Sequence, residues 1–245
     1  MSRARGLEQE WLGPLLVEEL ASLVVRRARL DIPWEQWKVL PRGHASVLWA
    51  LAEASELIAR GHLRRALVLG LDSLVGRPVL EWLFLSRRLK TPEHPVGLMP
   101  GEAAAALLVE RETDARRRGA RIDSFVTALS TGGDTCQGLR LAATLERTLA
   151  RATRVGDVYG DLNGEEARAR EWGNFLARQP AGSALAGARH HWPAESLGDT
   201  GAASGAISLA AGVRSFVRGY ARENEILVWS RSESGEVASG LLLRP

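Results

Sequence analysis

The side chains best placed to do chemistry are His44, Cys136, Asp161, Asp199 and the adjacent pair His190-His191. His44 opens an Ala- and Leu-rich run, and an exposed imidazole at a helix start titrates near neutrality, as a nucleophile or base would need. The plainer reading is a helix-start residue held by a local hydrogen bond. Cys136 carries the only thiol, and nothing adjacent in sequence supplies a base to activate it. Asp161 and Asp199 could meet His44 in one cleft and hold a cation or ligand. The plainer reading has Asp161 end a strand and Asp199 cap the helix that starts near Gly201. Two adjacent imidazoles without a third spaced ligand make a poor metal site, so His190-His191 reads as a surface loop. Glu165-Glu166, followed by Arg168, Arg170 and Glu171, reads as a solvated helix face with spaced ion pairs.

The elements that must position these residues follow from periodicity. A helix is expected over 15–30, where Leu15, Leu16, Leu20, Leu23 and Val24 recur at helical spacing. Its acidic residues come early and its basic residues late, as a helix dipole favours. Asp31-Ile32-Pro33 ends it, and 34–40 is expected to be a strand. A helix follows over 45–60, closed by Gly61. Arg65 to Leu71 is the continuous apolar run of a strand buried on both faces, and strand, helix and strand in that order predict a parallel crossover. Residues 78–89 read as helix, 92–100 as a loop and 102–111 as a central strand. Later strands are expected over 121–129, 156–162, 184–188, 225–230 and 237–243, and helices over 138–153, 165–177 and 201–218. Two similar halves, 1–120 and 121–245, suggest a layered helix-sheet-helix-sheet-helix arrangement, with no obvious sequence repeat.

The 245 residues are 45% hydrophobic and 25% charged, ordinary for a globular protein. The net charge of +3, from 32 basic and 29 acidic residues, is spread along the chain and gives no concentrated basic face for nucleic acid. The densest cluster, Arg116 to Arg118, sits beside Arg111, Glu112 and Asp114 and reads as a solvated connection. One cysteine excludes an intramolecular disulfide framework. Residues 1–10 carry no apolar run of the length a signal peptide or membrane span requires. No nucleic acid, membrane, metal or cofactor is therefore expected, and the expected location is cytoplasmic. The eight tryptophans are expected mostly to fill the core, with Trp11, Trp34 and Trp37 as candidates to cover a partner surface.

Several stretches, in order, resemble the ketoacyl synthase branch of the thiolase superfamily. Residues 53–61 resemble the helix after that family's nucleophile, and Ala66 to Ser73 the strand that follows. Gly97-Leu98-Met99-Pro100-Gly101-Glu102-Ala103-Ala104-Ala105 looks like the family's Gly-Phe-x-x-Gly-Glu-Gly-Ala-Gly. Ser130 to Asp134 resembles its substrate-side loop, and Leu197 to Gly205 its Gly-His-x-x-Gly-Ala-Ala-Gly. The resemblance implies an α/β, thiolase-like, layered α-β-α-β-α fold. It also implies a further strand-helix-strand stretch before the nucleophile, where only the region up to Gly43 stands here, so the N-terminal half is expected to be shortened.

Condensation in that family needs a thiolate at a helix start and two imidazoles. The resemblance places His44 at the nucleophile, Asp161 near the first histidine, Asp199 at the second and Ala194 at the lysine. All four positions are vacated, and no catalytic residue is expected. The implied function is a non-catalytic binding or adaptor protein, with a dimer built on Ala66 to Leu71. At family level such degenerate relatives accompany type VI secretion effectors and adaptors, which implies an effector-loading, chaperone-like role. The alternatives are a non-catalytic partner subunit of a condensing enzyme, or a hydrolase using His44, Asp161 and Asp199.

Overall fold

The computed structural model describes residues 14–132 and 140–245. They fall into two units, one ending at Pro41 and one spanning Arg42 to Pro245. The first holds helix α1 (Pro14–Arg27), with Arg26 and Arg27 in its last turn. A 3-10 turn, Trp34–Gln36, follows where periodicity predicts a strand. That unit has no strand among the described residues, and local bonds serve it instead: Gln36 N donates to Pro33 O and the Trp37 indole to Ile32 O, both at 3.0 Å. The reading of Trp11, and of the Trp34 side chain, lies outside the described residues.

The second unit opens with a 3-10 turn, Gly43–Ala45, that runs into α2 (Ser46–Ala59). Then come β1 (Arg65–Ser73), α3 (Arg77–Leu85), β2 (Glu102–Glu110) and α4 (Glu112–Arg117). β1 and β2 form a two-stranded antiparallel sheet in unbroken register from Arg65↔Glu110 to Ser73↔Glu102. This corrects the expected parallel crossover and the expected central place of 102–111: among the described residues β2 has one strand neighbour, and the strand that would have begun the crossover is the 3-10 turn. The charged connection after β2 is a short helix, in which Arg116 pairs with Glu112 and Arg117 with Asp114, both at 2.8 Å.

Beyond residue 120 lie β3 (Phe125–Gly132), α5 (Arg140–Leu149), β4 (Val155–Tyr159), α6 (Glu166–Ala177), β5 (Arg189–His191) and α7 (Ala194–Leu197). A third 3-10 turn, Gly201–Ala203, leads into α8 (Ser204–Arg218), followed by β6 (Glu225–Arg231) and β7 (Val237–Leu243). These strands make one sheet in the order β3-β7-β6-β4-β5. β4 is parallel to both β5 and β6, and β7 is antiparallel to its two neighbours. The expected strand at 184–188 is a turn containing Gly187 at φ +76°, and the strand begins only at Arg189. Cys136 and the loop at 133–139 lie outside the described residues.

The layers follow from which faces are apolar. α2 and α8 lie between the two sheets, where Val47, Leu48, Leu51, Val68, Leu209, Ile226 and Val228 form one core. On the far face of the five-stranded sheet, α5 and α6 bring Leu141, Leu145, Trp172 and Phe175 onto Leu227, Trp229 and Leu241. Trp172 and Trp229 stack there with centroids 4.9 Å apart and planes 16° from parallel. The layered α/β fold expected from the sequence is present, with its first sheet reduced to two strands among the described residues.

Candidate functional site

Two equivalent turns build the site. Gly43 and Gly201 open the two 3-10 turns at φ +50° and +52°, a region that residues with a Cβ rarely adopt. At Gly201 a Cβ would lie 2.1 Å from Asp72 Oδ2, which accepts the Ala202 N–H at 2.7 Å. The turns point His44, next after the first glycine, toward Asp199, two residues before the second.

His44 Nε2 and Asp199 Oδ1 are 2.7 Å apart, and Arg168 Nη2 lies 3.2 Å from His44 Nδ1. A guanidinium only donates, so Nδ1 is the acceptor and the ring proton sits on Nε2, directed at Asp199. The other oxygen of Asp199 accepts from Asn163 Nδ2 at 2.6 Å, and its Oδ1 also accepts the Gly201 N–H at 2.9 Å. Arg168 donates through Nη1 to Arg231 O at 2.6 Å and pairs with Asp161 Oδ2 at 3.1 Å. Asp161 Oδ2 in turn accepts the Arg231 N–H at 2.7 Å. His44, Asp161, Arg168 and Asp199 are all buried.

A second ring of charge closes over this core. Glu165 accepts two bonds from Arg88, at 2.7 and 3.0 Å, and one from Asn163 Nδ2 at 3.0 Å. Arg88 also pairs with Glu233. Ser232 Oγ accepts the Ala45 N–H at 3.1 Å and donates to Arg42 O. Burial alone would raise the pKa of Asp199, but the His44 ring, the Arg168 guanidinium and the Asn163 amide hold it well below the usual carboxylate range. Burial works against the Arg168 cation, and the carboxylates of Asp161, Asp199, Glu165 and Glu233 outweigh it and raise its pKa.

The structure thus brings His44, Asp161 and Asp199 into one network, and Ala194 lines the same small cavity as Asp161 and Asp199. That cavity measures about 10 Å³, room for about one water. Asp161 stands just past β4, and Asp199 Oδ1 accepts the Gly201 N–H, but the N-cap residue of that turn is Thr200 and that of α8 is Ala203, neither with a side-chain cap bond. The local bond expected for His44 is instead a pair of long-range bonds. The solvated face expected at 165–171 holds for the exposed pair Glu166–Arg170 and is corrected at Arg168, which is fully enclosed. A signal for it was present: Arg168, Trp172 and Phe175 fall at i, i+4 and i+7, one face of α6, and the last two are core residues. Arg88, Ser232 and Glu233 carried no such signal, since they reach the site from distant loops.

His190-His191 is a strand, not a surface loop. His191 Nε2 bonds the buried Asp157 Oδ1 at 2.8 Å, which Arg189 also pairs at 2.8 Å, and its ring stacks on Tyr159. His190 packs edge-on against Trp172, and burial, then the neighbouring His191, lowers its pKa. Among the described residues no group of three His, Cys, Asp or Glu side chains converges as metal ligands would.

The position of Asp199 depends on the segment before β2. Met99 O accepts the Asp199 N–H at 2.6 Å, and Gly101 N donates to Asp199 O at 2.8 Å. A Cβ on Gly101 would lie 2.1 Å from Leu197 O. Gly101→Ala is therefore expected to destabilise the protein by about 1–3 kcal/mol, measured by urea unfolding. An unchanged midpoint would mean that this backbone pairing is loose.

No protein-family model matches the sequence, and no curated protein matches it. Solved structures do. An oxazolomycin ketosynthase domain from Streptomyces albus superposes with a TM-score of 0.75 at 17% identity, covering 94% of this chain and 49% of that one. The ketosynthase FabY from P. aeruginosa gives 0.73 at 14% identity, covering 92% and 49%. The ishigamide ketosynthase/chain length factor gives 0.64 at 24% identity, covering 82% and 55%. The fold is that of the ketosynthases. This chain spans about half the length of the first of these structures, 49%. No described helix is long and apolar enough to cross a membrane.

Proposed function

We propose that this chain is a non-catalytic, thiolase-like binding protein of the cytoplasm that serves as partner subunit to an acyl-condensing, ketosynthase-type enzyme. The observation that carries this reading is the engagement of His44. Its Nδ1 lies within bonding distance of Arg168 and its Nε2 of Asp199, so both ring nitrogens are engaged inside the protein and neither is open to attack a thioester. The adjoining cavity of about 10 Å³ is far below the several hundred Å³ of an ordinary ligand pocket. A hydrolytic role for His44, Asp161 and Asp199 is disfavoured for the same reason, since Asp199 is bonded at both oxygens and Asp161 Oδ2 is held by Arg168 and the Arg231 N–H, which leaves only Asp161 Oδ1 facing a cavity of about one water.

The partner role draws its support from fold-level likeness to a structure described as a ketosynthase/chain length factor. The narrower alternative, loading of a type VI secretion effector, draws on the sequence resemblance alone. Exposed Phe84, Leu85, Val96 and Met99 would suit a protein partner of either kind.

Incubation with malonyl- or acyl-thioesters is expected to leave the intact mass unchanged and to give no condensed product. An acyl adduct on His44 or Cys136, located by peptide mass spectrometry, overturns the non-catalytic reading.

A further inference from the structure

The second unit contains a repeat that is plain in three dimensions. Each sheet contains an antiparallel strand pair that follows a helix opened by a Gly-started 3-10 turn: Gly43–Ala45, α2, β1 and β2 in one half, with α3 between the two strands, and Gly201–Ala203, α8, β6 and β7 in the other, joined by a short turn. Both helices begin at a serine, Ser46 and Ser204. With the turns aligned and two extra residues allowed between the Gly201 turn and β6, Ala66-Leu67-Val68-Leu69 of β1 matches Ile226-Leu227-Val228-Trp229 of β6. The cross-strand partners match too, with Leu67 opposite Leu108 and Leu227 opposite Leu241.

The inner faces of the two strand pairs meet the same helix layer, since Val68 and Val228 belong to one core. Their outer faces differ. Leu227, Trp229 and Leu241 are each 0% exposed beneath α5 and α6. Leu67, Leu69, Leu71 and Leu108 are 44%, 42%, 38% and 52% exposed. The edges differ as well. β6 carries β4, parallel, on its free side, and β7 carries β3, antiparallel. β1 and β2 have no second neighbour among the described residues. Neither strand has the devices that protect a bare edge: each runs nine residues with no Pro or Lys, and its charged residues lie only near its ends.

We infer that the β1–β2 strand pair receives a strand-helix unit from a partner chain of the same layered fold. The partner strand lies parallel along β1, as β4 lies along β6, and its helix lays an apolar stripe across Leu67, Leu69, Leu71 and Leu108, as α6 and α5 do over the other sheet. A second copy of this chain is a poor donor, because the units of this kind, β4 with α6 and β3 with α5, are already built into its own five-stranded sheet. The mode is strand addition, in which main-chain bonds supply affinity and the alternating side chains supply specificity. The inference extends the partner-subunit reading and stands on an observation independent of His44.

The test places a photoreactive benzoylphenylalanine at Leu69 or Leu108 of the full chain, and at Arg178 as a control, in cells that naturally make the protein. After irradiation the cross-linked peptides are sequenced. The expected result is one partner of ketosynthase-like fold captured from Leu69 and Leu108 but not from Arg178, through a peptide in a strand or the helix that follows it. Adding Leu69→Lys to the Leu108 probe should cut the yield by about tenfold or more while cooperative unfolding is retained, since the side chain faces outward. Capture of a second copy, of residues 1–41 of the same molecule, of a protein of another fold, or of nothing overturns the inference. An acyl adduct on His44 would instead sink the non-catalytic reading and leave this surface standing.

Discussion

Arg168→Met lowers the unfolding free energy by about 3–5 kcal/mol, read as a fall in the urea midpoint at pH 7 with an unchanged slope. Methionine replaces the stem of Arg168 but none of its donors. It strands Asp161 and Asp199, both buried, without their shared cation, and it returns His44 Nδ1 and Arg231 O to the interior unpaired. The large cost reflects an orphaned charge more than the worth of the pair. Accordingly, Arg168→Met combined with Asp161→Asn and Asp199→Asn should recover much of the loss. A single-variant loss under about 1 kcal/mol, the scale of an exposed pair, would mean that water reaches the network. The same charges set a pH dependence. The folded-state pKa of Asp199 lies below its unfolded value of about 3.9, so its contribution is complete above that pH and is lost as the pH falls through the folded value. Asp199→Asn therefore weakens the protein at pH 7, and its gap to the parent closes in acid. A gap that persists unchanged at pH 2 would assign the effect to packing.

Trp229→Ala costs a similar amount, about 3–5 kcal/mol, and the loss should appear at every pH. Trp229 is fully buried on β6, stacked on Trp172 and edged by Trp192. Gly160 leaves room for the ring, since a Cβ there would lie 2.5 Å from the indole. Alanine would open a cavity between β6 and α6 that the rigid sheet cannot close. A loss near 1 kcal/mol would show that α6 slides in to fill the space.

The helices over 45–60 and 201–218 and the strands at 65–71, 225–230 and 237–243 were legible because apolar patterning and Gly punctuation agree there. What stayed hidden depends on distance in space. The segment 34–40 has a strand's composition but no strand neighbour among the described residues. β1 has the apolar run of a strand buried on both faces, yet one of its faces is open. In the site, His44, Asp161 and Asp199 could be singled out by type and place. Arg168 could not be read as enclosed from its charged neighbours, although its spacing to Trp172 and Phe175 put it on the inward face. Arg88, Ser232 and Glu233 join the network through tertiary contacts that leave no local pattern.

The Trp172–Trp229 stack also gives the protein an optical property. Two indoles in near-parallel contact share their electronic transitions, so the folded chain should show a paired positive and negative band in its circular dichroism that neither ring produces alone. Both indole N–H groups are buried without a partner, an apolar setting that shifts emission to the blue. Because Trp172 lies on α6 and Trp229 on β6, the paired band vanishes when the outer helix lifts from the five-stranded sheet, and the red shift follows when water enters. Together the two signals separate loosening of that layer from unfolding of the whole, with no label attached.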